Sequence, residues 1–315
     1  PALAAGNAVI LKPARQTPLS ALRICEILLE AGLPEHGLQV ITGSGSEIGA
    51  ALCADARVRK ISFTGSTAVG EQITRIAGVK RLSLELGSSA PLIVLPDADI
   101  EAAAAAIAHG GYVNAGQVCI SVQRVVVDRA VHGDLLDALL PAVGEIRLGD
   151  PHDDSTTMGS LISDAEAERV EGMLTAAAAA GARLVAGGDR DGSRMVPAIV
   201  DQVAPDSALA QEELFGPAVA ISSVDGIGEA IAVANGTSYG LAAGIFTRDI
   251  NAALRFAQEV DAGVLQVNSS PLWRATLMPY GGLKASGVGK EGPEYAIEEM
   301  TELKSVVFHG LEDRS

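Results

Sequence analysis

Short apolar runs rich in β-branched residues alternate with helix-like segments along the first part of the chain. The runs are NAVILK (7–12), LQVIT (38–42), KISFT (60–64) and KRLSLEL (80–86), and helices are predicted after the first run, near 46–54 and near 66–77. Strands that are apolar on both faces and alternate with helices are typical of a parallel sheet covered by helices. The chain is therefore predicted to have an α/β fold, with residues 1–86 forming part of one nucleotide-type domain.

Start signals for helices support this division into elements. Thr17 is predicted to cap the first helix, with Pro18 at its first position, because Thr and Pro are favoured at these two sites. A second start signal, the capping box from Ser163 to Glu166, lies much further along the chain.

A second α/β unit is predicted over residues 87–285. It begins with PLIVLP, an alanine-rich helix over 99–110, the loop around Cys119 and the strand QRVVVD, and it continues with strands near 183, 241 and 263–267. Residues 286–315 are predicted to form a C-terminal segment whose β-like run near 303–308 has no obvious partner in its own domain.

Composition excludes several classes of partner. The chain has 315 residues, enough for two domains, with 39 acidic and 23 basic residues and a formal net charge of −16. This charge repels nucleic-acid backbones and anionic lipid surfaces. No stretch has the length of a membrane span, and the start lacks the features of a signal peptide, so a cytoplasmic location is predicted. The three cysteines form no CxxC pair and the five histidines are scattered, so no metal site is predicted.

Two residues indicate a chemistry. Glu85 lies in LEL, near the end of the run KRLSLEL. Cys119 lies further along the chain in NAGQVCISVQR, in a loop after the alanine-rich helix. A thiol can form a covalent adduct with an aldehyde, and a carboxylate can activate the water that hydrolyses the resulting thioester. Cys25 and Cys53 lie in apolar helical contexts and are predicted to be buried packing residues.

The motifs around these residues resemble those of the aldehyde dehydrogenase superfamily. They are, in chain order, VILKPARQTPLSAL, FTGSTAVG, LELGSSAP, NAGQVCISVQR, EELFGP and PYGGLKASGVGKEGPEYAIEEMTELK. The resemblance implies an enzyme that oxidises an aldehyde to a carboxylic acid with NAD or NADP. It implies that residues 1–86 are part of a dinucleotide-binding domain of Rossmann type and that residues 87–285 form the catalytic domain. It also implies roles for Cys119 as nucleophile, for Glu85 as base and for Glu291 as a second acid near the water channel.

The resemblance further implies a set of cofactor-binding residues. Gly65 and Ser66 would hold the pyrophosphate at a helix N-terminus, Lys12 would donate to the adenosine ribose, and Leu86 would lie in the cofactor site. Glu213 and Phe215, in EELFGP, would bind the nicotinamide ribose and pack beside the ring.

Arg15 departs from the pattern of many NAD-preferring relatives. They carry an acidic residue three positions after the lysine that corresponds to Lys12, whereas this chain has a cation there. A cation there tolerates or favours a 2′-phosphate, so NADP is predicted to be accepted, with a preference for NADP over NAD left open.

Substrate identity is less constrained. The motifs look like those of the branch that acts on small aldehydes, such as lactaldehyde and glyceraldehyde 3-phosphate, and this resemblance places Ile120 and Arg274 at the substrate. An arginine there could bind an anionic group on a short aldehyde, although a solvated arginine is an equal alternative.

Relatives carry a substantial region before the segment that matches PALAAGN, and it includes one donor of the oxyanion hole. The chain is therefore expected to be either a fragment of a longer enzyme or a shortened protein with impaired chemistry that acts as an interaction partner. A narrower alternative is thioester hydrolysis without redox chemistry. Family members are dimers or tetramers that exchange strands, which implies a homo-oligomer built through residues near 303–308.

Overall fold

The computed structural model describes residues 1–310. The elements up to residue 86 are β1 (Val9–Leu11), α1 (Leu19–Glu30), β2 (Leu38–Val40), a π-helical turn (Gly45–Gly49) that continues as α2 (Ala50–Ala54), β3 (Lys60–Thr64), α3 (Thr67–Ala77) and β4 (Arg81–Glu85). The next elements are β5 (Ala90–Val94), α4 (Ile100–Tyr112), β6 (Val122–Asp128), α5 (His132–Gly144), α6 (Asp164–Ala179), β7 (Arg183–Ala186), β8 (Arg190–Asp191), β9 (Arg194–Met195) and β10 (Ala198–Asp201). The last elements are α7 (Ala208–Gln211), β11 (Ala218–Val224), α8 (Gly226–Asn235), β12 (Tyr239–Gly240), β13 (Ala242–Phe246), α9 (Ile250–Glu259), β14 (Val264–Val267), β15 (Leu283–Lys284), β16 (Gly287–Val288) and α10 (Pro293–Glu299).

The first elements form small parallel sheets, as the alternation of strands and helices predicted. Strand β1 pairs with β2, and β3 pairs with β4 over their whole length. The antiparallel strand β16 adds to the other edge of β4. Helix α10 follows it, and its Glu299 accepts a hydrogen bond from Lys60 Nζ at 2.9 Å. The chain after residue 286 therefore packs against the first sheets.

The larger part of the chain is built on a seven-stranded sheet. Its strand order is β14-β13-β5-β6-β11-β10-β7. The pairs are parallel except at one edge, where β7 runs antiparallel to β10. The predicted α/β class is confirmed, with one antiparallel edge strand added to the parallel sheet.

Both faces of this sheet are covered, which explains its continuous apolar runs. In β5, Leu92 and Val94 pack on one face with residues of α4 and α5, whereas Ile93 packs on the other face with residues of α8 and α9. All three side chains are fully buried. Because successive strand residues point to opposite faces, a strand buried on both faces needs apolar residues at every position.

Two local predictions have different outcomes. Ser163 is the N-cap of α6 and its side chain accepts the Glu166 N–H, as predicted. The prediction that Thr17 caps α1 was wrong: Pro18 holds the N-cap position in a helical conformation, without a side-chain cap. The Pro18 carbonyl accepts the first helical hydrogen bond, from the Leu22 N–H, so Leu19 is the first residue of the helix.

The C-terminal segment is described as far as residue 310, and the predicted range 286–315 extends beyond the described residues. Residues 302–309 have no regular secondary structure and are exposed. The prediction that residues near 303–308 form a strand concerns a homo-oligomer, and it stays a prediction. None of the helices within residues 1–310 combines the length and apolar character needed to span a bilayer.

Candidate active site

The loop that carries Cys119 is built on an unusual backbone turn. After α4, three consecutive residues adopt positive φ angles, namely Asn114 at 52°, Ala115 at 56° and Gly116 at 70°. A Cβ atom on Gly116 would lie 2.1 Å from the carbonyl oxygen of Gly216, so this position accepts only glycine. The turn leads into the short loop that holds Cys119 just before the first residue of the buried strand β6.

Cys119 differs from the other two cysteines in its surroundings. Cys25 and Cys53 are buried, whereas Cys119 is half-buried. Its Sγ lies 3.1 Å from the hydroxyl of Tyr280. Burial raises the pKa of the Cys119 thiol, and the carboxylates of Glu85 and Glu213 raise it further, while the Tyr280 hydrogen bond lowers it.

Glu85 is the last residue of β4 and is 7% exposed. Its Oε2 has no hydrogen-bond partner within the described chain. Its Oε1 lies against Gly281, 2.9 Å from where a Cβ atom on that glycine would be. Glu85 and Cys119 therefore contact adjacent residues of one loop, Gly281 and Tyr280.

The environment of Glu85 favours its protonated form. Burial and the nearby carboxylate of Glu291 raise its pKa to about 8, although Lys290 and Arg274 oppose the shift. A carboxyl group that exchanges its proton near neutral pH is suited to general acid–base chemistry.

Arg274 contacts both Glu291 and the ring of Tyr280. Arg274 donates to Glu291 Oε2 at 2.6 Å, and its guanidinium lies 4.0 Å from the centre of the Tyr280 ring. Tyr280 and Glu291 are also paired through their backbones, with N–H···O distances of 3.2 and 2.6 Å. The structure thus brings Glu291 and Arg274 beside the loop that contacts Cys119 and Glu85.

Cys119 shares a cleft with the two residues of EELFGP. Its lining includes Ser88, Cys119, Glu213 and Phe215. Glu213 Oε1 accepts the Ser88 N–H at 2.9 Å, and Glu213 Oε2 lies against Gly87, where a Cβ atom would be 3.0 Å away. Phe215 has a positive φ of 48° and leaves 39% of its surface exposed, so part of its ring is accessible from the cleft that it lines.

Gly65 and Ser66 lie at the N-terminus of α3, where Ser66 is the N-cap without a side-chain hydrogen bond. The first N–H groups of a helix have no intrahelical partner, so they can bind an anion. Leu86 is 8% exposed and packs against Gly70 of the same helix.

Three further predicted residues, like Gly65, Ser66 and Leu86, do not line the cleft. Lys12 and Arg15 follow β1, and the Lys12 ammonium donates to the carbonyl of Pro13 at 2.7 Å. Ile120 is 6% exposed and packs in a core cluster with Leu241 and Tyr280. Its part in substrate binding, like the parts of Lys12 and Arg15 in cofactor binding, stays a prediction.

Sequence reasoning missed Tyr280, Lys290 and Ser88. Tyr280 lies in PYGG and Lys290 directly precedes Glu291, so both were inside quoted motifs, but nothing in the sequence places the tyrosine hydroxyl on the thiol.

Within residues 1–310, no group of three or more His, Cys, Asp or Glu residues is arranged to hold a metal ion.

Comparison with known proteins decides the family. The aldehyde dehydrogenase family model matches residues 1–306. The chain belongs to the aldehyde dehydrogenase family. It is 47% identical over 309 residues to a 3-sulfolactaldehyde dehydrogenase of Priestia aryabhattai, and the match covers 98% of this chain and 65% of that protein.

Solved aldehyde dehydrogenase structures agree with this assignment. The glyceraldehyde-3-phosphate dehydrogenase of Methanocaldococcus jannaschii, solved as a complex with NADP, superposes with a TM-score of 0.92 at 39% identity, over 95% of this chain and 66% of that one. An NAD-dependent aldehyde dehydrogenase of Sinorhizobium meliloti gives 0.92 at 38% identity, over 95% and 60%. The chain thus spans between 60% and 66% of the length of these relatives, which is less than two thirds.

The residues present fit a dinucleotide of the kind used by this family. Gly87 lets the Glu213 carboxylate approach the backbone closely, and this carboxylate, which lines the cleft, can accept hydrogen bonds from ribose hydroxyls. The exposed ring of Phe215 offers a flat apolar surface beside the same cleft. The N-terminus of α3 adds unpaired N–H groups for a phosphate.

Proposed function

We propose that the protein oxidises a short aldehyde to the carboxylic acid with NAD or NADP, through a thioester on Cys119. The observation that carries this proposal is the placement of Cys119. Its sulfur lies in the cleft that Glu213 and Phe215 line, and the adjacent Tyr280–Gly281 loop reaches Glu85. A nucleophile, a base and a surface for a nicotinamide therefore meet at one place.

In the first half of the reaction, the Cys119 thiolate attacks the aldehyde carbon. A C–S bond forms and the carbonyl oxygen takes the negative charge. The Cys119 N–H makes no backbone hydrogen bond within the described chain, so it can donate to that oxygen. NAD or NADP, held beside Glu213 and Phe215, would supply the hydride acceptor. Loss of the hydride from the former aldehyde carbon leaves a thioester on Cys119.

In the second half, Glu85 takes a proton from water as the oxygen of that water attacks the thioester carbon. The C–S bond breaks, the carboxylic acid leaves, and Cys119 returns as a thiolate. Glu85 must be ionised to accept the proton, and with a pKa raised to about 8 it exchanges protons readily near neutral pH. Glu291, whose carboxylate lies near Glu85, contributes to that raised pKa.

The substrate class we propose is a short aldehyde with an anionic group. Arg274 reaches the ring of Tyr280, whose hydroxyl contacts the nucleophile, and its side chain is 39% exposed. One Arg274 nitrogen pairs with Glu291, which leaves other N–H groups of the guanidinium for a substrate. The names of two relatives, 3-sulfolactaldehyde dehydrogenase and glyceraldehyde-3-phosphate dehydrogenase, describe aldehydes with a sulfonate or a phosphate.

NADP is proposed to be accepted beside NAD. Arg15 is exposed and forms no ion pair with any of the described residues, so its charge is available to a 2′-phosphate. One solved relative carries NADP, and another is named as NAD-dependent.

A homo-oligomer is proposed on the basis of the C-terminal segment. Leu303, Val306, Val307 and Phe308 are between 61% and 105% exposed. Apolar side chains exposed together in one short segment favour an interface. Replacing Val306 and Phe308 with glutamate should lower the particle mass measured by light scattering, and an unchanged mass would contradict the proposal. A cytoplasmic location stays a prediction.

The test of the function is a coupled measurement of cofactor and product. The full chain is mixed with glyceraldehyde 3-phosphate or lactaldehyde and with NAD or NADP, and the absorbance of the reduced cofactor is followed. Equal amounts of reduced cofactor and carboxylic acid are expected. Hydrolysis of a nitrophenyl ester is measured in a parallel assay. Ester hydrolysis without any aldehyde oxidation would favour a hydrolase, and a lack of both activities would favour an inactive interaction partner.

A further inference from the structure

The hydroxyl of Tyr280 has one partner within residues 1–310, and that partner is the proposed nucleophile. The oxygen lies 3.1 Å from Cys119 Sγ. Tyr280 is 4% exposed, so water competes little for this hydrogen bond. The general chemistry of a thioester mechanism requires a thiolate but does not require a tyrosine at this position.

The position of this tyrosine is fixed from three sides. Its backbone N–H and C=O pair with those of Glu291, and the Arg274 guanidinium lies over one face of the ring at 4.0 Å. Its ring packs in the apolar cluster that contains Ile120 and Val264. A hydroxyl held in this way loses little further conformational freedom when it forms a hydrogen bond.

The surroundings of Cys119 otherwise oppose its ionisation. The thiol is desolvated, and the charged groups that act on it most strongly are the carboxylates of Glu85 and Glu213, both of which disfavour a thiolate. The Tyr280 hydroxyl acts in the opposite direction. Burial also raises the pKa of Tyr280, as do Cys119 and Glu85, while Arg274 opposes this shift, so the tyrosine keeps its proton when the thiol loses its own. Because a thiolate can only accept a hydrogen bond, the Tyr280 hydroxyl must donate it.

We infer that Tyr280 is a further catalytic residue, whose hydroxyl donates a hydrogen bond to the Cys119 thiolate, stabilises it and aims it into the cleft. The catalytic part of this inference rests on the proposed function, but the hydrogen bond itself is a property of the resting protein. It can therefore be measured without an aldehyde or a cofactor.

The test is the pH dependence of Cys119 alkylation by iodoacetamide in the full chain. Peptide mass analysis assigns the label to Cys119 and separates it from the buried Cys25 and Cys53. Hydrogen bonds to charged groups are worth about 1.5–3 kcal/mol, so Tyr280→Phe should raise the pKa of this thiol by roughly one to two pH units. The alkylation rate at pH 7 should fall about tenfold or more.

Tyr295→Phe is the matched control, because the Tyr295 hydroxyl makes no hydrogen bond to any described residue. Its alkylation profile should equal that of the wild type. If thermal unfolding shows that Tyr280→Phe does not fold, Tyr280→Met is used in its place. Methionine also lacks the hydroxyl, and its flexible side chain can fill the space of the ring.

The outcomes separate this inference from the proposed function. An unchanged Cys119 pKa in a folded variant without the hydroxyl would overturn the inference, even if the wild type oxidises aldehydes. A raised pKa together with a lower kcat/KM that recovers at high pH would support it. A raised pKa in a protein that oxidises no aldehyde would support the hydrogen bond and refute the proposed function instead.

Discussion

The pH dependence of thioester hydrolysis should report the ionisation of Glu85. Its pKa of about 8 arises from burial and from the Glu291 carboxylate. The raised pKa means that the basic form accumulates as the pH rises, with about one tenth of the molecules ionised at pH 7 and about nine tenths at pH 9. The hydrolysis rate should therefore rise roughly tenfold over this range and level off above it.

A nitrophenyl ester isolates this step, because it acylates a reactive cysteine without any cofactor. The burst of nitrophenol reports acylation of Cys119, and the subsequent steady rate reports hydrolysis of the acyl group. Glu85→Gln keeps the shape of the side chain but cannot take a proton. We expect it to slow hydrolysis by about 100- to 10,000-fold and to abolish the tenfold rise.

Glu35→Gln is the matched control, since Glu35 is exposed and far along the chain from the site. It should hydrolyse the acyl group at the wild-type rate and with the wild-type pH profile. A tenfold rise between pH 7 and pH 9 that persists in Glu85→Gln would refute the assignment of the base, because another group would then be titrating.

Three further predictions concern the loop, the substrate and the cofactor. Gly116→Ala should lower the free energy of unfolding, measured by urea titration, by about 3 kcal/mol or more, because its Cβ atom would overlap the Gly216 carbonyl. The control Gly172→Ala, in an open position of α6, should change this free energy by about 1 kcal/mol at most. Arg274→Gln should lower kcat/KM for glyceraldehyde 3-phosphate by about 10- to 100-fold and leave lactaldehyde less affected, and equal losses would contradict an anion-binding role. Arg15→Glu should lower kcat/KM for NADP by about tenfold while NAD is retained, and unchanged NADP kinetics would show that this arginine does not bind the 2′-phosphate.

The sequence predicted the parts of the fold that depend on local patterns. PLIVLP and QRVVVD became the central strands β5 and β6, because a strand buried on both faces must be apolar at successive positions. Strand β11 (Ala218–Val224) was missed, although it lies between β6 and β10 in the sheet. Its sequence AVAISSV mixes small and polar residues, and only its tertiary neighbours make it a strand.

The site was predictable to a similar degree. Motifs predicted roles for Cys119, Glu85, Glu213 and Phe215, and these roles stay predictions. Cys119, Glu213 and Phe215 line one cleft, and Glu85 lies against the adjoining loop at Gly281. The contact of Tyr280 with Cys119 joins residues 161 positions apart in the chain, so no local pattern could reveal it. The ion pair of Arg274 with Glu291 likewise depends on the turn between β14 and β15, which the sequence does not define.

The central claim is a covalent thioester on Cys119, and trapping it is the most direct measurement. The Glu85→Gln variant of the full chain is incubated with glyceraldehyde 3-phosphate and NADP, quenched in acid and digested, and the Cys119 peptide is analysed by mass spectrometry. The account predicts that this peptide carries the acyl group, in an amount equal to the reduced cofactor formed in the burst. Reduced cofactor without any acyl group on Cys119, or unchanged turnover in Cys119→Ser, would contradict it.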